Sequence, residues 1–312
     1  MDIKKLNEEF GLDGVLAFEE HEGMVRAQVT SSSATATIYL HGAHVTHWQP
    51  AGHDPVLYLS PNTEIAEGKA IRGGVPICFP WFGPRADGKP GPSHGFARTQ
   101  SWDVAFAALV PGAGREQVHL SLTLGPTELS RSLGFDHFRV AYQLVIGRTL
   151  KLRLAVANLG DRPMHIEEAL HTYFAVPDVR KVSITGLEGA EYIDKMDKMA
   201  LKRLPEEPLE ITETTDRVFP GHKATCTIKT GNPATDINNR KANSATTVVW
   251  NPWNLVLGDL PADGWEHFVC VETANTGADS VTIAPGDSHT MEAEISVGPP
   301  PPPRTPEAAP AS

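Results

Sequence analysis

The chain has 312 residues, 40% of them hydrophobic and 21% charged, enough to bury a full core in one large domain or two smaller ones. A net charge of −11 with no basic stripe argues against a nucleic-acid partner, because such proteins neutralise phosphates with clustered Lys and Arg. No apolar run approaches the ~20 residues that a membrane-spanning helix needs, so a membrane-embedded protein is not expected.

The first ten or so residues carry helical periodicity, with Lys4 and Lys5 but no apolar stretch after them. They do not read as a secretory signal, and a cytoplasmic address is the expectation. Residues 1–13 read as a helical lead-in. From residue 14 onward strand patterning dominates. Gln117 to Leu124 and Thr149 to Val156 alternate polar and apolar with period two, as half-buried antiparallel strands do. Thr35 to Leu40, Trp102 to Leu109, Phe138 to Ile146, Val182 to Leu187, Ala224 to Lys229, Thr246 to Trp250, Phe268 to Thr273, Val281 to Ala284 and Thr290 to Val297 read the same way, separated by Gly, Pro, Asn and Asp clusters. Beyond the first ten residues, helical periodicity is confined to Thr127 to Leu133 and Asp194 to Leu201. Many short strands with few short helices predict an all-β chain, a β-sandwich or barrel, in one domain over residues 14–297. Gly298 and the prolines from Pro299 to Pro303 open a segment with nothing apolar to bury. Residues 298–312 are expected to be a disordered, partly polyproline-II tail.

The three cysteines, Cys78, Cys226 and Cys270, lack C-x-x-C spacing and sit in apolar contexts, so buried reduced thiols are expected. No P-loop or dinucleotide glycine fingerprint is present. His41, His44 and His47 lie close in sequence, but on a strand 41 and 44 face opposite ways, as do 44 and 47. They could converge on a metal only if the chain turned at Gly42, and a non-metal role is favoured.

Ile71 to Gly83, followed by His94-Gly95-Phe96-Ala97-Arg98, sets Arg72, Arg98 and His94 among glycines, prolines and aromatic rings. Arg supplies forked donors suited to phosphate or carboxylate, and aromatic faces suit the C–H side of a sugar ring. A rigid pocket for a polar, anionic small molecule is expected, with phosphate the favoured anion. His171 is set among Leu170, Tyr173 and Phe174 and would be largely desolvated. Glu272 ends an apolar strand, where burial without a partner is costly, so it faces a polar cavity or pairs with a cation. Asp216 reads as closing a turn beside a basic residue.

These residues fall in stretches that closely resemble the hexose-6-phosphate mutarotases of the aldose 1-epimerase-like superfamily, over most of residues 14–297. The stretches are Leu40 to Trp48, Lys69 to Gly83, His94 to Arg98, Glu168 to Phe174, Asp216 to Val218, Val249 to Trp253, and Val271-Glu272. The resemblance implies a large antiparallel β-sandwich of galactose mutarotase type, a supersandwich whose concave face holds the sugar. It implies His171 as general acid and Glu272 as general base, with Arg72 and Arg98 holding the substrate at its phosphate and Asp216 binding sugar hydroxyls. Some relatives bind through a glutamine just before the His94 run; here that position is the shorter Ser93. Arg85 or Lys89, in the loop from Pro84 to Pro92, could add charge near a phosphate.

The implied reaction is anomer exchange of a hexose 6-phosphate. It removes a proton from the C1 hydroxyl and adds one to the ring oxygen, so one acid and one base suffice and no metal or redox cofactor is needed. A monomer acting on a small-molecule substrate is expected. Two other readings stay open: an epimerase for unphosphorylated aldoses, for which two guanidinium groups would be idle, and a non-catalytic carbohydrate-binding sandwich using platforms such as Trp81 and Trp250.

Overall fold

A computed structural model describes residues 2–112 and 115–299; the predicted tail lies outside them except for Gly298 and Pro299. The largest sheet is built from the clearest alternation in the sequence. Its nine antiparallel strands run in the order Leu209–Glu210, Ser183–Thr185, Cys226–Lys229, Ile237–Ala242, Ser288–Val297, Thr149–Asn158, Phe138–Ile146, Gln117–Leu124 and Asp103–Val110. On Thr149–Asn158, Leu150, Leu152, Leu154 and Val156 are all buried while Lys151 and Arg153 face solvent. Burying each such leucine contributes about 1.5–3 kcal/mol, and the polar face leaves the sheet's outer side wet.

The second sheet has eight strands and reads differently because its central strand is buried on both faces. Its path is Ala200–Arg203, Glu191–Asp194, Thr215–Pro220, Thr246–Asn251, Phe268–Asn275, Glu168–Leu170 and Ile77–Cys78, with Tyr173–Ala175 also paired to Phe268–Asn275. All eight residues of Phe268–Asn275 are buried. Val269 and Val271 point into the main core, whereas Phe268 and Cys270 pack with Tyr173 and Leu260, and Ala274 packs with Cys78, Ala169, Val218 and Val248. By strand parity Glu272 lies on this second face, away from the main core. A four-stranded meander, Leu16–His21, Met24–Thr30, Ala34–Tyr39 and His44–Pro50, adds to the same core. Its Trp48 Nε1 donates to the carbonyl of Gly147, at the turn between two strands of the largest sheet.

Among the described residues there are two α-helices, Ile3–Phe10 and Glu128–Ser132. The first is capped by Asp2, whose Oδ1 accepts from the amides of Lys4 and Lys5, and Leu6 seats it on the core. The second carries a reciprocal cap between Thr127 and Ser130. The helix expected over Asp194 to Leu201 does not form. Glu191–Asp194 and Ala200–Arg203 pair instead as a hairpin across a 3-10 turn, Lys195–Asp197. Lys198 and Met199 both adopt positive φ, of 49° and 64°, which a helix forbids. Asp194 stabilises the turn by accepting from the Met196 amide and from Lys202 Nζ.

Leu152→Ala, in the middle of the largest sheet, is expected to lower the unfolding free energy by about 2–5 kcal/mol, read as a drop in the midpoint of urea denaturation at unchanged slope.

Candidate active site

The second face of the eight-stranded sheet gathers the ionisable residues. Leu170 pairs with Thr273, so the chain leaving the strand Glu168–Leu170 brings His171 alongside Glu272. His171 Nε2 stands 3.3 Å from Glu272 Oε1, with the two side chains 10% and 1% exposed. The imidazole is boxed by rings: Tyr173 stacks at 5.0 Å and Phe82 at 6.5 Å, while His94 and Trp250 meet it edge-on at 5.5 and 6.0 Å. Neither carboxylate oxygen of Glu272 has a hydrogen-bond partner among the described residues. A buried carboxylate with idle acceptors is costly, and the cost falls when a hydroxyl donates to it. Burial pushes the Glu272 carboxyl well above its usual range, opposed by the Lys195 ammonium. Burial, helped by His94, Arg98 and Arg72, holds His171 well below an ordinary histidine.

Arg72 lies at one side of the pair. Its Nε and Nη2 both reach Asp259 Oδ2 at 3.0 Å, its Nη1 donates to the Tyr173 hydroxyl at 2.9 Å, and its guanidinium sits 5.9 Å from the Trp250 ring centre. Arg98 lies on a 3-10 turn, Ala97–Thr99, and its Nη2 donates to the Ser93 carbonyl, while its Nε is buried without a partner among the described residues. Ser93 thus contributes its main chain, and the residue itself is exposed. His94 adopts φ 63°, accepts the Gly83 amide at Nδ1, and is pushed down to about 3 by burial and by Arg98, Lys195 and Arg72. It enters the site as a neutral ring. The adjoining Gly95 needs its φ of 74°, since a Cβ there would overlap the Phe79 carbonyl.

Asp216 does not close a turn. It is the second residue of the strand Thr215–Pro220, level with Trp250, and lies 3.3 Å from Lys195 Nζ. Burial raises its carboxyl, against the pull of Lys195. Arg85 and Lys89 both pair with Asp87, two cations on one carboxylate, and Arg85 also stacks on Trp81. Trp81 is a core residue rather than a platform: it is 7% exposed and packs on Phe96 and Phe135. The chain does turn at Gly42, yet His41, His44 and His47 take separate partners, the carbonyls of Lys69 and Gly73 and the Thr35 hydroxyl. Cys78 lies in the floor of the site, where burial pushes its thiol up.

The aldose 1-epimerase family matches residues 26–296 of this chain. The chain belongs to the aldose 1-epimerase family. It is 36% identical to a protein of Escherichia coli strain K12 named "Putative glucose-6-phosphate 1-epimerase", over 77% of this chain and 79% of that one. The solved structure of a "putative mutarotase" from Salmonella typhimurium superposes with a TM-score of 0.84 at 30% identity, covering 93% of this chain and 96% of that one. A galactose mutarotase related enzyme from Lactobacillus acidophilus has a TM-score of 0.69 at 14% identity over 87% and 97% of the two chains, a likeness of fold alone. The architecture is therefore the galactose mutarotase sandwich, and the family makes this chain an isomerase acting on a sugar.

Four residues of this candidate site escaped the sequence reading: Lys195, Asp259, Tyr173 and Phe82. Tyr173 and Phe82 stood inside the resembling stretches and could have been found by strand parity and loop position. Asp259 follows Gly258 as any turn aspartate would, and Lys195 sat in the stretch read as helix.

Behind the pair, Glu168 is fully buried and its Oε1 receives His289 Nε2 and Asn275 Nδ2, each at 2.9 Å, tying the strands of His171 and Glu272 to the opposite sheet. The hydrogen bond to Glu168 raises His289 above an ordinary histidine. A raised folded-state value stabilises fully below the unfolded value and is lost as pH rises through the folded one. The stability difference between the wild type and His289→Gln, measured by urea denaturation, is therefore expected to be larger at pH ~5.5 than at pH ~9.

Proposed function

We propose that this chain interconverts the α and β anomers of D-glucose 6-phosphate and related hexose 6-phosphates, with His171 and Glu272 as the proton-transferring pair. The observation that carries this reading is a buried acid and base 3.3 Å apart, the carboxylate oxygens unpartnered among the described residues, with Arg72, Arg98 and Lys195 acting on the pair. The name carried by the Escherichia coli relative supports the phosphorylated substrate. Arg72 and Arg98 supply affinity for the anion, Asp216 takes sugar hydroxyls, and His94 and the Ser93 main chain shape the wall between them.

The pair must hold one proton for the chemistry to balance. In ring opening the C1 hydroxyl gives its proton to the base, the C1–O5 bond breaks, and O5 takes a proton from the acid. The aldehyde then rotates about C1–C2 and closes by the reverse transfers. With His171 pushed down and Glu272 pushed up, the single proton rests on the carboxyl in the ligand-free protein. A C1 hydroxyl donating to Glu272 and an O5 accepting from His171 favour moving it to the imidazole, one transfer across the 3.3 Å contact. Substrate binding thereby produces the acid His171 and the base Glu272. Such a reaction suits a monomer in the cytoplasm, where the buried thiols Cys78, Cys226 and Cys270 stay reduced; a single-chain mass by size-exclusion with light scattering checks the former.

Two-dimensional NMR exchange between the anomers of glucose 6-phosphate tests the function. The wild type is expected to accelerate exchange over buffer and to prefer glucose 6-phosphate to glucose. His171→Ala and Glu272→Gln are each expected to lower kcat by ~10²–10⁴-fold, and wild-type rates in both would overturn the roles. A second proton on the pair requires His171 to titrate, and its depressed value puts that loss below pH 6.5. Losing the only proton requires the elevated Glu272 carboxyl to titrate. kcat is therefore expected to be level near neutral pH, to fall on the acid side only below pH 6.5, and to fall on the alkaline side as Glu272 gives up its proton.

A further inference from the structure

Lys195 heads a row of side chains that crosses the site. Ile193 and Asp194 pair with Val218 and Arg217, and the next step along the hairpin sets Lys195 beside Asp216 at 3.3 Å. Asp216 is level with Trp250, Trp250 with Cys270, and Cys270 with Tyr173, whose hydroxyl accepts from Arg72. Lys195 and Arg72 thus stand at opposite ends of one row. Their partners differ. Arg72 has Nε and Nη2 on Asp259 and Nη1 on Tyr173. Lys195 Nζ meets a single carboxylate oxygen and otherwise lies over the Phe82 ring at 5.0 Å, with 29% of its side chain exposed. An ammonium has three donors and a guanidinium five, so each cation keeps two for a ligand.

Phe82 meets His94 edge-on at 4.7 Å, and Ser93, next in the chain, holds Arg98 through its carbonyl. Lys195 and Arg98 therefore flank the Phe82–His94 edge, and both charges are felt at His94, Cys78 and Glu272. A phosphate dianion seated between two cations is held more strongly than by one, and Arg98 Nη2 is held by a neutral carbonyl that leaves its charge uncompensated. We propose that Lys195 is a specificity-determining residue of this site, donating with Arg98 to the phosphate of the sugar phosphate. This rests on the hexose 6-phosphate reading above and adds Lys195 to Arg72 and Arg98 as a third cation for the anion.

The test measures kcat and KM for glucose 6-phosphate by NMR exchange, and the affinity for inorganic phosphate by calorimetry, in the wild type, Lys195→Met and Lys195→Arg. Circular dichroism melting of each variant accompanies both. Lys195→Met is expected to raise KM and weaken phosphate binding by about tenfold each, with kcat changed by less than about threefold. Lys195→Arg is expected to recover most of both losses, because a charge is restored to the same place. Wild-type KM and phosphate affinity in Lys195→Met would overturn the proposal, as would a fall in kcat with KM unchanged, which would mean that Lys195 acts on Glu272 and not on the ligand. A wild type that binds phosphate through Lys195 without exchanging glucose 6-phosphate sinks the proposed function and leaves the phosphate contact standing. A wild type that exchanges it, with no loss in Lys195→Met, does the reverse.

Discussion

Glu272 is the constraint around which the rest of the site is arranged. A carboxyl on a strand with all eight residues buried is tolerable only where it can hold or share a proton, because an isolated buried charge costs far more than its strand contributes. Strand parity puts it on the face away from the main core, and the pairing of Leu170 with Thr273 puts His171 beside it. Burial moves both toward their neutral forms, which is the state with a single proton on the pair.

The charges around the pair solve a second problem. A protein of net charge −11 repels an anionic substrate at long range, so attraction has to come from cations close to the site. Arg72 and Arg98 disfavour a protonated His171, and Lys195 and Arg98 favour an ionised Glu272, so unlimited positive charge would strip the pair of its proton. Asp259 beside Arg72 and Asp216 beside Lys195 limit that effect. The carboxylates leave enough positive charge to attract an anion while keeping the pair's single proton in place.

Much of this architecture is legible in the sequence, for a physical reason. Phe138–Ile146 and Gln117–Leu124 have one wet and one dry face, so their alternation marks both ends of each strand where the structure has them. His171 and Glu272 stand out because ionisable groups among apolar neighbours need a cause. Legibility fails where partners are distant or backbone strain decides. Asp259 lies 187 positions from Arg72, and nothing local to Gly258-Asp259 distinguishes it from a turn. Asp194 to Leu201 has helical spacing, but the side chain of Asp194 favours a turn over a helix interior, and the positive φ of Lys198 and Met199 belongs to the hairpin as a whole. Asp216 looked like a turn because it adjoins Arg217; its strand is set by pairing with Thr246–Asn251, which is non-local.

The residues proposed to move protons and those proposed to hold the anion lie on different kinds of backbone, and this has a mechanical consequence. Glu272 lies on a fully paired strand and His171 directly follows one, both braced through Glu168 to His289 of the opposite sheet, whereas Arg72 and Arg98 lie on loops or short turns and Lys195 on a hairpin tip. A 3.3 Å proton-transfer geometry tolerates little displacement, and sheet ladders provide that rigidity. The proposed contacts to a phosphate would tolerate more, because the ammonium of Lys195 and the fork of Arg98 would follow the anion by rotation about their own bonds. The same pair could therefore be kept while the turns around it change, so that what the site selects is altered without disturbing how it moves a proton.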